Sequence, residues 1–388
     1  MVLPLLKKCR GGDKLANLPV EILMEILLVL TAKDLQNLKS VSEFWNSFIS
    51  NPDFIKAQHA QSQSQSPQHI FFETVAIPTK RNPKFEYGQF GVNMKSKVMD
   101  INIPQNRKVL TVKACCDGLV LFQDKYAPKQ LYISNPVTAQ FQPLPLSTFS
   151  CSDWALAYDS RIKKYKVFAI HCQVIYTHLT LGVETASWLW YGETQENPTQ
   201  EHLLSNVILI HKELHWLTID EDSEHREFFF VYSVHVEEYN KFRKIRAPLA
   251  RKPDLDFKKR KGKHLLSDLN GSLCLTYVSH NHLRMFVLED RDRCLWTNSY
   301  TVHLQSLSQH SLLFGTFLSD DICLVAVGGV GSSDLSDVIK VLVHVEDRLF
   351  LYDLKTQEKT FVGFMSKERK LSRDYFFHSE SLISWSAS

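Results

Sequence analysis

The chain has no apolar run approaching the ~20 residues that a bilayer-spanning helix requires, so a helical membrane protein is not expected. The first residues, MVLPLLKKCRGG, place their charges after a very short apolar stretch and offer no small-residue cleavage site, which makes a poor signal peptide. Charge of one sign is also lacking. Lys and Arg number 45 against 42 Asp and Glu, a net charge of +3, too small an excess to imply nucleic acid as a partner. The eight cysteines fall at 9, 115, 116, 151, 172, 274, 294 and 323 with no C-x-x-C pair, so they read as small buried hydrophobes in a reducing compartment. Vicinal Cys115 and Cys116 are the one redox candidate. These absences direct the chain to the cytosol or nucleus.

Recognised catalytic signatures are missing too. There is no G-x-S-x-G nucleophile elbow and no H-E-x-x-H. The one glycine-rich stretch, GGVGSSD at 328–334, lacks the Lys-Ser/Thr that a phosphate cradle needs, and reads as an inter-strand loop. His211 and His215 of HKELH have the four-residue spacing of a helical zinc pair, but their neighbours alternate as in a β-hairpin and no third ligand is in register. His171, Cys172 and His178 lack the closer pairing of a structural zinc site. No metal, cofactor or catalytic residue is expected.

What is present begins with a helical stretch from Leu15 to Ile55. Ile22, Leu23, Ile26, Leu27 and Leu30 fall on one side of a helix that starts near Pro19, whose fixed φ suits a first turn. Thr31 with Asp34, and Ser40 with Glu43, form capping-box patterns that open two more short helices. The second of these carries Phe44, Trp45, Phe48 and Ile49, and Asn51-Pro52 opens a fourth with Phe54 and Ile55. About 40 residues cannot bury a self-sufficient core, so the leftover apolar groups must pack on the remaining chain or on a partner.

Leu18-Pro19, Glu21 to Leu23, Ile26-Leu27, Asp34-Leu35, Val41 and Trp45 together resemble an F-box. That resemblance implies a Skp-type adaptor, and through it a cullin, as partners. It assigns adaptor binding to Leu18, Pro19, Ile22, Leu23, Ile26, Leu27, Leu35, Val41 and Trp45. Two positions depart from the family. Thr31-Ala32 stands in a turn where many relatives have proline, and Ser42-Glu43 where many have Cys and a basic residue.

Residues 57–69, AQHAQSQSQSPQH, are polar and read as a frayed helix end followed by a linker. Beyond it the period turns from helical to alternating, with short segments such as GLVLFQ, YKVFAI, ELHWLTI and VIKVLVHV rich in β-branched and aromatic residues. Asn270-Gly271 is a strong hairpin signal. LYISNPVTAQFQPL at 131–144 and LYDLKTQEKTFVGF at 351–364 share one plan of strand, Asn or Asp turn, Thr and second strand, and YDSRIKKYKVFAI at 158–170 is a looser copy. Such recurrence suits a β-propeller of about six blades. A pair of β-sandwiches is the alternative.

CCDGLVLF, YISNPVTAQFQPLP, ALAYDSRIKKYKV, ELHWLTID and LNGSLCL, in that order, resemble the plant F-box-associated interaction domain of F-box/kelch-like proteins. The stretch 237–263 matches little and reads as an insertion. The expected organisation is therefore a flexible N-terminus at 1–14, an F-box at 15–56, a linker at 57–69 and a propeller-like domain at 70–388. What the resemblance implies is a non-catalytic substrate receptor of an SCF-type ubiquitin ligase, whose β domain recruits an unknown target protein. An all-β enzyme or glycan-binding propeller with an accessory helical module is the competing reading. Lys258, Lys259, Arg260, Lys261 and Lys263 form a basic run that reads as a solvated loop, with nuclear import or an acidic partner as its functional alternatives.

Overall fold

The computed structural model describes residues 18–65, 69–73, 85–89, 97–99, 110–147, 153–170, 176–183, 186–191, 205–221, 227–238, 242–248, 264–269, 271–279, 282–303, 322–329, 339–345, 348–364 and 375–386. The basic run at 258–263 and residues 330–334 lie outside them. Four helices lead: α1 (Val20–Leu28), α2 (Ala32–Leu38), α3 (Glu43–Ile49) and α4 (Pro52–Gln65). The Thr31 side chain accepts from the Asp34 backbone N–H to cap α2 (3.1 Å), and Asn51 caps α4 through the N–H of Asp53 (2.8 Å). Helix α3 is capped by Ser42, which accepts from the N–H of Trp45, and not by Ser40, whose hydroxyl donates back to the Asn37 carbonyl. Both family departures, Thr31 and Ser42, are therefore helix caps.

The strands after α4 in the described residues form six sheets, each four-stranded and antiparallel. Blade 2 is β4 (Leu110–Cys116), β5 (Leu119–Asp124), β6 (Leu131–Asn135) and β7 (Gln140–Pro143). Blade 3 is β8 (Asp153–Asp159), β9 (Lys164–Ile170), β10 (Tyr176–Thr180) and β11 (Leu189–Tyr191). Blade 4 is β12 (Ile208–Ile210), β13 (Glu213–Glu221), β14 (Glu227–His235) and β15 (Phe242–Arg246). Blade 5 is β16 (His264–Leu269), β17 (Ser272–Ser279), β18 (His282–Asp290) and β19 (Leu295–His303). Blade 6 is β20 (Ile322–Gly329), β21 (Ile339–Val345), β22 (Arg348–Asp353) and β23 (Lys359–Phe364). Blade 1 unites β1 (His69–Glu73), β2 (Phe85–Gln89) and β3 (Lys97–Met99) with the last strand, β24 (Tyr375–His378). Residue pairs from His69↔His378 to Phe72↔Tyr375 thus close the ring between its two chain ends. The architecture is the propeller.

Apolar side chains wedge between neighbouring blades. Leu121, Ile133, Leu156 and Val167 fill the space between blades 2 and 3, and Leu217, Val231, Leu266 and Leu275 that between blades 4 and 5. The recurring turn seen in the sequence has one chemical basis. Asn135, Asp159 and Asp353 each accept from the backbone N–H two residues on, at 2.9, 3.0 and 2.9 Å, and the residue four positions on takes positive φ: Ala139, Lys163 and Gln357. Asp290 makes the same turn with Asp292 and Cys294, a fourth copy that reading the sequence missed.

Three sequence expectations change. Helix α4 continues to Gln65, so most of the stretch expected as linker is helical, and Gln58 on it is buried. The expected insertion at 237–263 contributes β15, the outer strand of blade 4. Gly328 and Gly329 of the expected loop belong to β20, opposite Lys340 and Ile339.

Candidate functional site

The helical module has an apolar core and a second apolar face that stays exposed among the described residues. Leu23, Leu27, Leu35, Phe44, Trp45, Phe48, Ile49 and Phe54 are buried together, with Phe44 and Trp45 in edge-on contact at 5.0 Å between ring centroids. Ile22, Ile26 and Val29, spaced i, i+4, i+7, stay 42, 47 and 68% exposed, and Val41 is 66% exposed. Burying such residues on a partner yields ~25 cal/mol per Å² of apolar surface, and solvating them costs the same. The single stripe expected from the sequence is therefore two faces of α1. Of the nine adaptor-binding residues expected, Pro19, Ile22, Ile26 and Val41 are exposed and Leu18 is half-buried. Leu23, Leu27, Leu35 and Trp45 lie inside and shape the module from within. Val29, at the C-cap of α1, is an exposed apolar residue that the sequence reading did not single out.

The module's other side is fixed to the propeller. His59 Nε2 on α4 lies 3.0 Å from Oδ1 of Asp117, the first residue of the β4–β5 turn, and Tyr165 of blade 3 donates to Oδ2 at 2.9 Å. Burial works to raise the pKa of the Asp117 carboxyl. The His59 hydrogen bond and charge, with the Tyr165 bond, outweigh it and hold the carboxyl below its usual range. Ser381 donates to the Asp117 carbonyl at 2.5 Å, and Leu382 beside it is buried in the module's own core. Val137, from the β6–β7 turn, packs on the same core.

The other sequence candidates among the described residues take structural places, and His171 and Cys172 lie outside those residues. His211 and Lys212 form the two-residue β12–β13 turn with positive φ, so HKELH is the expected hairpin. His215 is fully buried on β13, and burial, then the Arg291 charge, push its pKa down to about 3. His178 is also buried and pushed down to about 4, chiefly by burial and then by Lys166. Burial pushes the thiols of Cys115 and Cys116 well above the range in which a reactive thiolate forms. Among the described residues no group of three His, Cys, Asp or Glu stands where it could hold a metal ion, and no helix is long and apolar enough to cross a membrane. Blades 3 and 4 are clamped by Glu237, which accepts from the Ser160 hydroxyl (2.6 Å) and Lys212 (3.0 Å).

The family described as F-box associated beta propeller domain matches residues 59–380, and F-box-like matches 15–59. The chain belongs to the F-box associated β-propeller family. Its junction at residue 59 is His59, which touches both halves. F-box protein At1g47790 of Arabidopsis thaliana is 24% identical over 305 residues, 73% of this chain and 71% of that one. F-box/kelch-repeat protein At3g23880 of the same plant is 28% identical over 173 residues, covering 40% of this chain and 45% of its own length, so the shared region is under half of that relative. Among solved structures, YjhT aligns with a TM-score of 0.34 at 14% identity, over 58% of this chain and 69% of that one, too distant to carry an argument. The helical module is thus an F-box and the ring of six sheets its associated propeller.

Proposed function

We propose that this F-box protein is the substrate-receptor subunit of an SCF-type ubiquitin ligase, acting in the cytosol or nucleus. In this reading the F-box docks a Skp-type adaptor, and through it a cullin, while the propeller holds a target protein for ubiquitination and degradation. The receptor performs no bond chemistry. It raises the effective concentration of the target's lysines near the charged ubiquitin carrier. The observation that carries the reading is the bare stripe of Ile22, Ile26 and Val29 with Val41, an apolar face on a module whose core is already complete without it.

The test is co-purification with a Skp-type adaptor of the full chain and of an Ile22→Asp, Ile26→Asp variant. Capture by the parent chain, and its loss in a variant that keeps its helical content, is the expected result. Equal capture by both, or none by the parent, overturns the assignment. Turnover of a small molecule or binding of sugars by a chain that captures no adaptor would favour the enzyme or lectin reading instead.

A further inference from the structure

The chain does not end at the strand that closes the ring. After β24, residues 379–386 leave blade 1 and run across the turns of blades 2 and 3, where they meet the F-box. This short segment is held at several points. Asn135 Nδ2 donates to the carbonyls of Ser381 (3.0 Å) and Ile383 (2.7 Å), while Asn135 Oδ1 caps its own turn at the N–H of Val137 (2.9 Å). The Ser381 hydroxyl donates to the Asp117 carbonyl (2.5 Å). Trp385 is buried between blades 2 and 3, and its Nε1 donates to Gln142 Oε1 (2.9 Å). Between these anchors Leu382, 2% exposed, enters the F-box core alongside Leu35, Phe44 and Phe54. Two glycines leave the path open. A Cβ on Gly118 would lie against the Ser381 side chain, and one on Gly182 within 2.5 Å of the Trp385 carbonyl.

The same spot is reached from the other end of the F-box. Asp117 receives His59 of α4 and Tyr165 of blade 3 through its carboxylate, and Ser381 through its carbonyl. One turn residue therefore gathers the last F-box helix, two blades and the C-terminal segment. A flexible tether would need none of these contacts, and their number exceeds what closing the ring requires, since β24 already does that.

We propose that residues 379–386 are a clasp that sets the angle between F-box and propeller, with Asn135, Asp117 and Leu382 as its positioning residues. The clasp makes the F-box and the propeller one rigid body. Its importance for ubiquitin transfer rests on the receptor reading above, because a fixed angle decides where a bound target stands relative to the adaptor. The clasp itself does not depend on that reading.

The discriminating variant is Asn135→Asp in the full chain. It keeps the Oδ1 acceptor that shapes the β6–β7 turn and replaces the amide donor by an oxygen facing two carbonyls, so the turn persists while the clasp is repelled. Hydrogen exchange of α4 amides and small-angle scattering are measured on parent and variant, with adaptor capture alongside. The expected result is α4 exchange about tenfold faster or more, a larger radius of gyration, and unchanged protection in blades 4 and 5. Ser381→Ala, which removes the hydroxyl's bond to the Asp117 carbonyl and the bond it accepts from the Ile383 N–H, is the variant to use if Asn135→Asp loses protection throughout, and a smaller shift in the same direction is expected. Unaltered α4 exchange and scattering in a folded Asn135→Asp or Ser381→Ala chain overturns the clasp. Loss of adaptor capture by the parent would overturn the receptor reading while leaving these measurements to decide the clasp.

Discussion

His59 and Asp117, 58 positions apart, meet at 3.0 Å between Nε2 and Oδ1, and this pair is where the F-box becomes part of the propeller. Gln58 beside it is buried, and Leu382 and Val137 of the β domain fill the F-box core. The two halves share apolar surface that neither can cover alone.

Truncation should therefore be sensitive to where the cut falls. A fragment starting at residue 69 leaves Leu382 and Val137 bare and Asp117 without His59, so it should melt several degrees below the full chain and aggregate more readily. A fragment starting at Ser50 keeps α4 and Phe54 and should be the more soluble of the two. Thermal melts with light scattering on both fragments check this, and equal behaviour would contradict the shared core.

Trp45→Ala should act by a different route from substitutions on the bare stripe. Trp45 is 3% exposed and packs on Phe44, so its truncation leaves a cavity worth ~3–5 kcal/mol and melts the F-box itself. Adaptor capture is then lost together with helical circular dichroism. Ile22→Asp, on the exposed stripe, should lose capture with the helical signal intact.

Gly118→Ala and Gly271→Ala share a backbone φ of +83° but should differ in cost. Both pay the left-handed strain of a non-glycine residue, about 1 kcal/mol or more. At Gly118 the new Cβ also meets Ser381 Oγ, Ser381 Cβ and the Ser379 carbonyl, whereas at Gly271 it meets only the ring of His211, which sits on an exposed turn and can swing aside. Denaturant unfolding should show Gly118→Ala as the more destabilised, and the reverse order would contradict the packing of the clasp.

Acid should destabilise the propeller from about pH 6.5 downward through its buried histidines. His215 and His178 are held neutral, with pKa values of about 3 and about 4, against ordinary values of 6.5 in the unfolded chain. Between about pH 6.5 and 4 the unfolded state binds more protons than the fold, so stability is full above 6.5 and falls as pH drops, by up to ~1.4 kcal/mol per pH unit for each histidine. Glu237 works later. Its carboxyl is pushed down to about 2, first by the Ser160 hydroxyl, so its contribution is fully present above its ordinary value of 4.5 and is lost as pH falls from there to about 2. Melting temperature against pH should slope less between 6.5 and 4.5 in His215→Gln than in the parent, and an equal slope would sink the assignment.

Much of this protein was legible in one dimension because its signals are local. Helix periodicity at Ile22–Leu27, the cap at Thr31, the hairpin turn at His211-Lys212 and the Asn/Asp turns at 135, 159 and 353 depend on neighbours within a few positions, and the structure keeps them. The outer strands were harder to see. β15 (FRKIR) and β19 (LWTNSYTVH) lie half in solvent at the sheet edge, so their apolar content is low and their alternation weak.

The tertiary structure alone decided which side chains of the N-terminal stripe face out. Ile22 and Leu23 are adjacent in sequence and alike in hydrophobicity, and what separates them is the packing of the F-box core, which buries one and leaves the other exposed. It also decided that the polar stretch after Ile55 is a docked helix, because Asp117, which its His59 meets, lies in a β-turn far along the chain. Most of all, it brought Leu382 into the F-box core. No composition or period marks a leucine near the C-terminus as belonging with residues of the first helices, since that contact exists only after the ring has closed at β24.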